Sequence, residues 1–252
     1  DEYHSGSSIY PSNPGKSVVA DGAGGDYNRA QISYTHEAAK AILGRQRIIL
    51  DNARFIGNVG WRQNEQTFDA FRADFTAVEN LSATYAYVDQ RNTIKYEDID
   101  VSDHLLNVGY TTPVGKISAY GYLLDDKDAK KKNDTYGLRF KGKAAAGDSV
   151  DILYTAEYAD QSANNASMAY ILAEGGVKIS AVSLIAGYEN LGSGKGTGDA
   201  NFGFSTPYGT NHAFNGWADV FLGTPGNGLN DVYAKVVGNV AGIKLVATYH
   251  DF

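Results

Sequence analysis

The chain has 252 residues, a net charge of −7 and no cysteine, which excludes a disulfide framework and cysteine-ligated zinc. An excess of acidic residues is the wrong sign for binding nucleic acid through its phosphates, so we expect no nucleic-acid partner. Its 29 glycines and 18 tyrosines, against 5 prolines, are typical of many strands joined by tight turns.

Residues 1–27 are rich in Gly, Ser, Pro and Asn, so we predict an exposed loop segment there. For residues 28–252 we predict an all-β domain, an antiparallel up-and-down transmembrane β-barrel. No window approaches the roughly 20 apolar residues of a membrane helix, so if the chain spans a membrane it must do so as a barrel. Twelve strands are predicted, at Asn28–His36, Lys40–Leu50, Thr67–Ala77, Leu81–Arg91, Val101–Thr111, Lys116–Asp125, Asp134–Lys143, Asp148–Asp160, Ser167–Gly175, Val177–Asn190, Asp231–Val240 and Gly242–Phe252.

Alternation of apolar and polar residues supports these strands. In Ser149–Asp160, Ile152 and Tyr154 point one way and Asp151 and Thr155 the other. Most predicted strands run about ten residues, which is long enough to cross a bilayer at a tilt. The residues predicted to face lipid on this basis include Phe71, Phe75, Tyr136, Tyr154 and Leu245.

The predicted connections alternate between short and long along the chain. Residues 51–66 and 191–230 form the longest, 161–166 a longer one, and 175–176 a short turn. A barrel with turns on one membrane side and loops on the other has this pattern. Because a tryptophan is costly to leave in water, Trp61 predicts that 51–66 folds into the lumen.

Catalytic motifs are missing from the sequence. It contains neither a Gly-x-Ser-x-Gly elbow nor a His-Glu-x-x-His pair, so we predict a protein that is not an enzyme and needs no cofactor or metal. The alternative to a membrane barrel is a soluble all-β carbohydrate-binding module with a tyrosine-rich face.

Six arginines are candidate pore-lining residues that select the solute. They have two interpretations of equal weight: a positive ring that selects anions, or salt bridges to Asp69, Asp74 and Glu65 that stiffen the wall. The six are Arg45, Arg47, Arg54, Arg62, Arg72 and Arg139.

Two stretches strongly resemble the alginate-export family of Gram-negative outer-membrane porins. The first comprises Leu43–Ile48 and Asp51–Ala70, and the second His212–Asp219 and Thr224–Tyr233. The resemblance implies about eighteen strands, so we expect that strands of the barrel lie beyond the twelve seen here. The alternative is a closed twelve-stranded barrel, because even strand counts from eight upward occur.

The resemblance also implies a bacterial outer-membrane channel with an arginine-lined, constricted lumen and long loops able to close it. The matched positions are Arg45, Arg47, Arg54 and Arg62, whereas Arg72 and Arg139 are added because their strand positions point inward. Passive diffusion of small hydrophilic, anionic solutes is the expected function. Outer-membrane lipids and lipopolysaccharide are the expected surroundings.

Overall fold

The computed structural model describes residues 27–252, in which a 12-stranded antiparallel sheet is the main element. Strands adjacent in the sheet follow one another along the chain, except that β10 pairs with β13 across two short strands, β11 and β12. The strands are β1 Ala30–His36, β2 Ala39–Gln46, β3 Thr67–Phe75, β4 Leu81–Asn92, β5 Asp98–Thr112, β6 Gly115–Asp126, β7 Lys131–Ala145, β8 Val150–Ala163, β9 Ala166–Ile179, β10 Val182–Leu191, β11 Ser193–Lys195, β12 Asn201–Gly203, β13 Leu229–Val240 and β14 Ile243–Asp251.

The all-β, up-and-down prediction is confirmed, since each of the twelve predicted strands matches a strand of the large sheet. The predicted loop segment 1–27 lies outside the described residues except for Tyr27. The predicted turn at Gly175-Gly176 is wrong, because both glycines lie inside β9 and the turn is at Ser180, with φ 51°. Gly176 is needed in the strand because a Cβ there would lie 2.5 Å from the carbonyl oxygen of Leu184.

The predicted longer connection at 161–166 is also wrong. β8 runs to Ala163 and β9 starts at Ala166, so the connection is Asn164-Asn165. Both asparagines have positive φ, 55° and 59°, as a two-residue hairpin turn requires. Asparagine tolerates this conformation better than most residues, which explains why a tight turn forms without glycine.

The two ends of the sheet differ in their connections. One end, called here the turn side, carries two-residue turns such as Glu37-Ala38 and Pro113-Val114. The opposite end, called the loop side, carries the two long connections, 47–66 and 192–228.

The two faces of the sheet differ in exposure. Phe71, Tyr136, Leu138 and Leu245 are exposed on one face, called the outer face, while side chains of the opposite, inner face are buried beneath the long connections. The predicted apolar face is confirmed as this outer face. Its contact with lipid stays a prediction.

The sheet curves around the long connections. The ring of Phe55 lies 5.3 Å from that of Tyr120 in β6 and 5.2 Å from that of Tyr170 in β9. Strands lie about 4.8 Å apart, so one side chain contacts strands β6 and β9 together only if the inner face is concave. Within residues 27–252, β1 and β14 do not pair with each other, so the sheet is open along that edge. No helix in this part of the chain is long and apolar enough to cross a membrane.

Candidate functional site

The inner face of the sheet is partly filled by the connection 47–66. A tight hook, in which the N–H of Ala53 donates to the carbonyl of Leu50 at 3.0 Å, places Arg54 and Phe55 at its inner tip. Asp51 and Ala53 adopt positive φ, 50° and 65°, to make the hook. The predicted infolding of this segment is therefore confirmed.

Asp51 attaches the hook to the wall. Its carboxylate accepts hydrogen bonds from Asn107 of β5 at 2.6 Å and from Ser118 of β6 at 3.1 Å. Phe55 packs beside these contacts against Phe204 and three wall tyrosines, Tyr120, Tyr122 and Tyr170. The segment is thus held by one polar and one aromatic anchor.

The second long connection, 192–228, also folds inward, which the sequence did not predict. Phe204 is fully buried, and the Tyr208 hydroxyl donates to Asp103 of β5 at 2.7 Å. The two connections contact each other where the N–H of Gly57 donates to the carbonyl of Tyr208 at 2.9 Å. Together they form one insert against the inner face of β5–β10.

Arg54, which is itself fully buried, is the center of a polar network. Its guanidinium donates twice to Glu189 of β10, at 2.8 and 3.2 Å, and once each to Asn211 and Asn215, at 3.0 Å. Burial is the largest single effect on the pKa of Arg54 and lowers it, but the charges and hydrogen bonds of Glu189 and Tyr170 together outweigh burial and raise the pKa. A charged Arg54 therefore ties the hook, the wall and the second connection together.

Arg47 and Arg62 pair with carboxylates of the connections. Arg47 donates twice to Glu65, at 2.7 and 2.6 Å, and Arg62 donates to Asp219 at 3.3 Å. Burial raises the pKa of Glu65, but hydrogen bonds from Arg47, Asn58 and Asn28 outweigh burial and lower it to about 2. Both arginines thus stabilise the insert.

Arg72 and Arg139 lie on the inner face, as predicted. Arg72 donates to Asp74 of its own strand at 2.9 Å. Arg139 pairs with Glu157 on the neighbouring strand, and the same carboxylate accepts a hydrogen bond from the Tyr120 hydroxyl at 2.8 Å. Each of these wall arginines is therefore bound to a carboxylate.

Arg45 lies on a different face from the other wall arginines. Strand alternation places it with Leu43, which is 59% exposed, on the outer face of β2. It donates twice to Asp69 of β3, at 2.9 and 3.1 Å. Residues on this face do not point into the interior, so the structure does not bring Arg45 to the proposed lumen.

Trp61, on which the prediction of infolding was based, does not anchor the segment 47–66 to the inner face. It is 42% exposed and lies between the guanidinium of Arg62, 3.8 Å from its ring, and the ring of His212, at 3.6 Å. Trp217 stacks beyond His212 at 6.0 Å. Phe55 provides the apolar anchor instead, because it sits at the tip of the hook.

A set of inner-face lysines was not predicted from the sequence. They share the inward strand positions and lie toward the turn side, where the insert does not cover the wall. Strand alternation could have found them, because each lies an even number of residues from other inner-face positions of its own strand. They are Lys40, Lys116, Lys141, Lys143, Lys178, Lys235 and Lys244.

The fold resembles solved outer-membrane porins of Pseudomonas aeruginosa. OpdQ aligns with a TM-score of 0.63 and 13% identity over 87% of this chain and 63% of its own. OccK7 (OpdD) aligns with a TM-score of 0.66 and 12% identity over 87% of this chain and 60% of its own. OpdK, solved with vanillate, aligns with a TM-score of 0.63 and 11% identity over 83% of this chain and 57% of its own.

At these identities the likeness is one of fold, and the chain spans 57 to 63% of the length of these porins. No family model and no curated protein matches the sequence. The matches support the porin-barrel part of the prediction from sequence. The alginate-export assignment stays a prediction.

Proposed function

We propose that this chain forms the wall of a bacterial outer-membrane channel through which small hydrophilic solutes diffuse passively, and that it is not an enzyme. One observation carries the proposal: long antiparallel strands expose an apolar outer face and hold a polar, partly filled inner face. Lipid and lipopolysaccharide would cover the outer face, since an apolar band with alternating polar positions suits a transmembrane barrel.

The insert would narrow the path. It occupies the inner face of β5–β10, and Arg54 ties it to the wall through Glu189. The lumen that solutes cross would then run past the insert, along inner-face positions that it leaves uncovered. The space that remains beside the insert would set the largest solute that can pass.

The solutes that we propose are anions. On the turn-side inner face, lysines outnumber carboxylates that have no partner. Asp74 pairs with Arg72, and Asp151 pairs with Lys143 at 3.5 Å. Glu174 accepts a hydrogen bond from the hydroxyl of Tyr233. Vanillate, the compound named with OpdK, is a carboxylate. The resemblance to alginate-export porins adds acidic oligosaccharides to the candidates.

The six arginines would contribute less to selectivity than the sequence suggested. Each is bound to a carboxylate, and a paired charge attracts a passing anion less than a free one because the two fields cancel at a distance. The pairs support the interpretation in which the arginines stiffen the wall and the insert.

Reversal-potential measurements in planar bilayers test this function. We expect stepwise conductance with an anion preference, and a reduced current when alginate oligosaccharides are added. The triple variant Arg45→Ala, Arg62→Ala, Arg72→Ala should keep that preference. A protein that stays in solution without detergent and adds no conductance would instead be a soluble all-β module.

A further inference from the structure

A cavity of about 280 Å³, called here the mouth cavity, lies at the loop side of the sheet. Three connections line it: the first long connection, 47–66, the second, 192–228, and the β4–β5 connection, 93–97. Pockets that take drug-sized ligands have about 300–1,000 Å³, so the mouth cavity suits a single small ring.

The three connections are fixed to one another around the mouth cavity. The side chain of Asn64 donates to the carbonyl of Thr93 at 3.0 Å, which ties the first long connection to the β4–β5 connection. Asp219 accepts from Arg62 at 3.3 Å, and its other carboxylate oxygen lies 2.6 Å from Nδ1 of His212. These contacts tie the two long connections together. The walls are therefore ordered before a ligand arrives, which lowers the cost of binding.

The hydroxyl of Thr93 organises the β4–β5 connection. It accepts hydrogen bonds from the backbone N–H groups of Lys95 at 3.2 Å and Glu97 at 3.1 Å. Tyr96 between them has φ 61°, a conformation that a residue other than glycine keeps only where its surroundings enforce it. The turn thus fixes the backbone from which Lys95 and Glu97 line the cavity.

The aromatic wall of the mouth cavity presents ring edges. Both faces of Trp61 are covered, one by the guanidinium of Arg62 at 3.8 Å and the other by the ring of His212 at 3.6 Å. The edges of Trp61 and His212 are left to line the cavity. An aromatic edge carries partial positive charge and the indole N–H is a donor, so this wall attracts oxygen atoms.

The polar side chains of the mouth cavity include donors and an acceptor. Arg91 and Lys95 supply N–H groups, and Glu97 supplies a carboxylate. The guanidinium of Arg91 lies 4.7 Å from the ring of Tyr208 and donates to the carbonyl of Pro207 at 3.3 Å, so its position is fixed. In the part of the chain that the structure describes, the side chains of Lys95 and Glu97 have no partner.

These groups suit the hydroxyls of a ring better than a single charge. A hydroxyl both donates and accepts, so several of them can use Glu97, Arg91 and Lys95 together. Glu97 would oppose a carboxylate placed among these groups, and Arg91 and Lys95 would oppose a cation. The apolar side chains of Ile94 and Leu222 complete the lining and can contact C–H groups. A sugar ring combines hydroxyls with C–H groups in this way.

We infer that the mouth cavity is a recognition site for the sugar ring of a solute that enters from the loop side. The ring is held through its hydroxyl groups by Arg91, Lys95, Glu97 and the edge of Trp61. The inference rests on the proposed function, because it assumes that solutes pass this side of the wall. To selection by charge it adds recognition of hydroxyl groups, which neutral and acidic sugars share.

Tryptophan fluorescence measures this binding without a conducting channel. Of the 2 tryptophans, Trp61 lines the cavity and Trp217 does not, so Trp217→Phe leaves a single reporter. This protein, freed of lipopolysaccharide and held in a detergent without a sugar head group, is titrated with glucose, galactose and mannose, each beside its uronate. At least one neutral hexose should give a saturable change. Its uronate should bind within about threefold, because Glu97 offsets part of the attraction of the two cations.

A double variant and a matched control test the polar contacts. Lys95→Ala with Glu97→Ala removes partners of the hydroxyls and keeps the backbone bonds of the turn, so the affinity should fall about tenfold. Asp89→Ala with Lys127→Ala removes the same two charges from exposed positions outside the cavity and should leave the affinity unchanged. The emission of Trp61 without sugar shows whether the aromatic wall is intact in each variant.

Four results would overturn the inference. One is the lack of a saturable response to any of the neutral hexoses. Another is a uronate that binds at least tenfold more tightly than its hexose, which would mean that charge and not hydroxyl groups is recognised. A third is equal affinity with and without the Lys95→Ala, Glu97→Ala change. The fourth is a response to lipopolysaccharide carrying its core sugars but none to free hexoses, which would assign the cavity to a lipid.

Bilayer currents separate the site from the channel. The hexose that binds should reduce the ion current when it is added on the loop side, and the Lys95→Ala, Glu97→Ala variant should lose at least half of this block. Conductance without sugar binding would overturn the site and leave the channel function standing. Sugar binding without conductance would refute the proposed function and leave the sugar-binding cavity standing.

Discussion

The substitution Arg54→Met should detach the insert from the wall. It leaves Glu189 buried with only the Tyr170 hydroxyl, at 2.6 Å, as a partner, and it deprives Asn215 of its donor. Removing one member of a buried ion pair costs about 3–5 kcal/mol, because the remaining charge is left uncompensated. We expect a loss of that size in the free energy of unfolding.

Urea unfolding of the protein in lipid vesicles, followed by tryptophan fluorescence, measures this loss. The chain has 2 tryptophans, and both Trp61 and Trp217 lie in the insert, so their emission reports its detachment. The double variant Arg54→Met, Glu189→Met is the matched control. It should regain about 2 kcal/mol or more, because no unpaired charge remains.

Two results would refute this account of the network. One is a cost below about 1 kcal/mol for Arg54→Met alone, which would mean that Glu189 is solvated rather than buried. The other is a double variant as unstable as the single one, which would mean that packing and not charge pairing holds the insert. In either case the insert would depend on Phe55 and Phe204 instead.

Three further predictions concern the outer face, the Glu65 pair and the insert. Leu138→Arg places a charge midway along the outer face and should cost roughly 2–4 kcal/mol in vesicle folding, so equal folding would contradict the facing assignment. The pKa of Glu65 is lowered to about 2, so its contribution to stability is present above about pH 4.3 and lost as the pH falls toward 2. Glu65→Gln should remove this pH dependence in unfolding titrations. Trypsin should spare Arg54 in the intact protein and cut at exposed Lys195, and early cutting at Arg54 would contradict the buried hook.

Local sequence patterns were sufficient to predict the strands, because alternation and turn preferences depend on residues only a few positions apart. The outer face of β7, with Tyr136 and Leu138, could be read from period two alone. These local signals were misleading at 175–176, where glycines serve close strand packing instead of a turn, and at Asn164-Asn165, where a two-residue asparagine turn forms in place of the predicted longer connection. In both places the same local residue pattern is compatible with two backbone arrangements.

The sequence by itself determined the fold class and the outer face, since both depend on the order of neighbouring residues. Only the tertiary structure decided what each charged residue does. Arg54 meets Glu189 across 135 residues, and the Tyr208 hydroxyl meets Asp103 across 105. Such pairings arise when the sheet curves and the long connections pack inside it, so no spacing in the chain reveals which carboxylate an arginine will pair with.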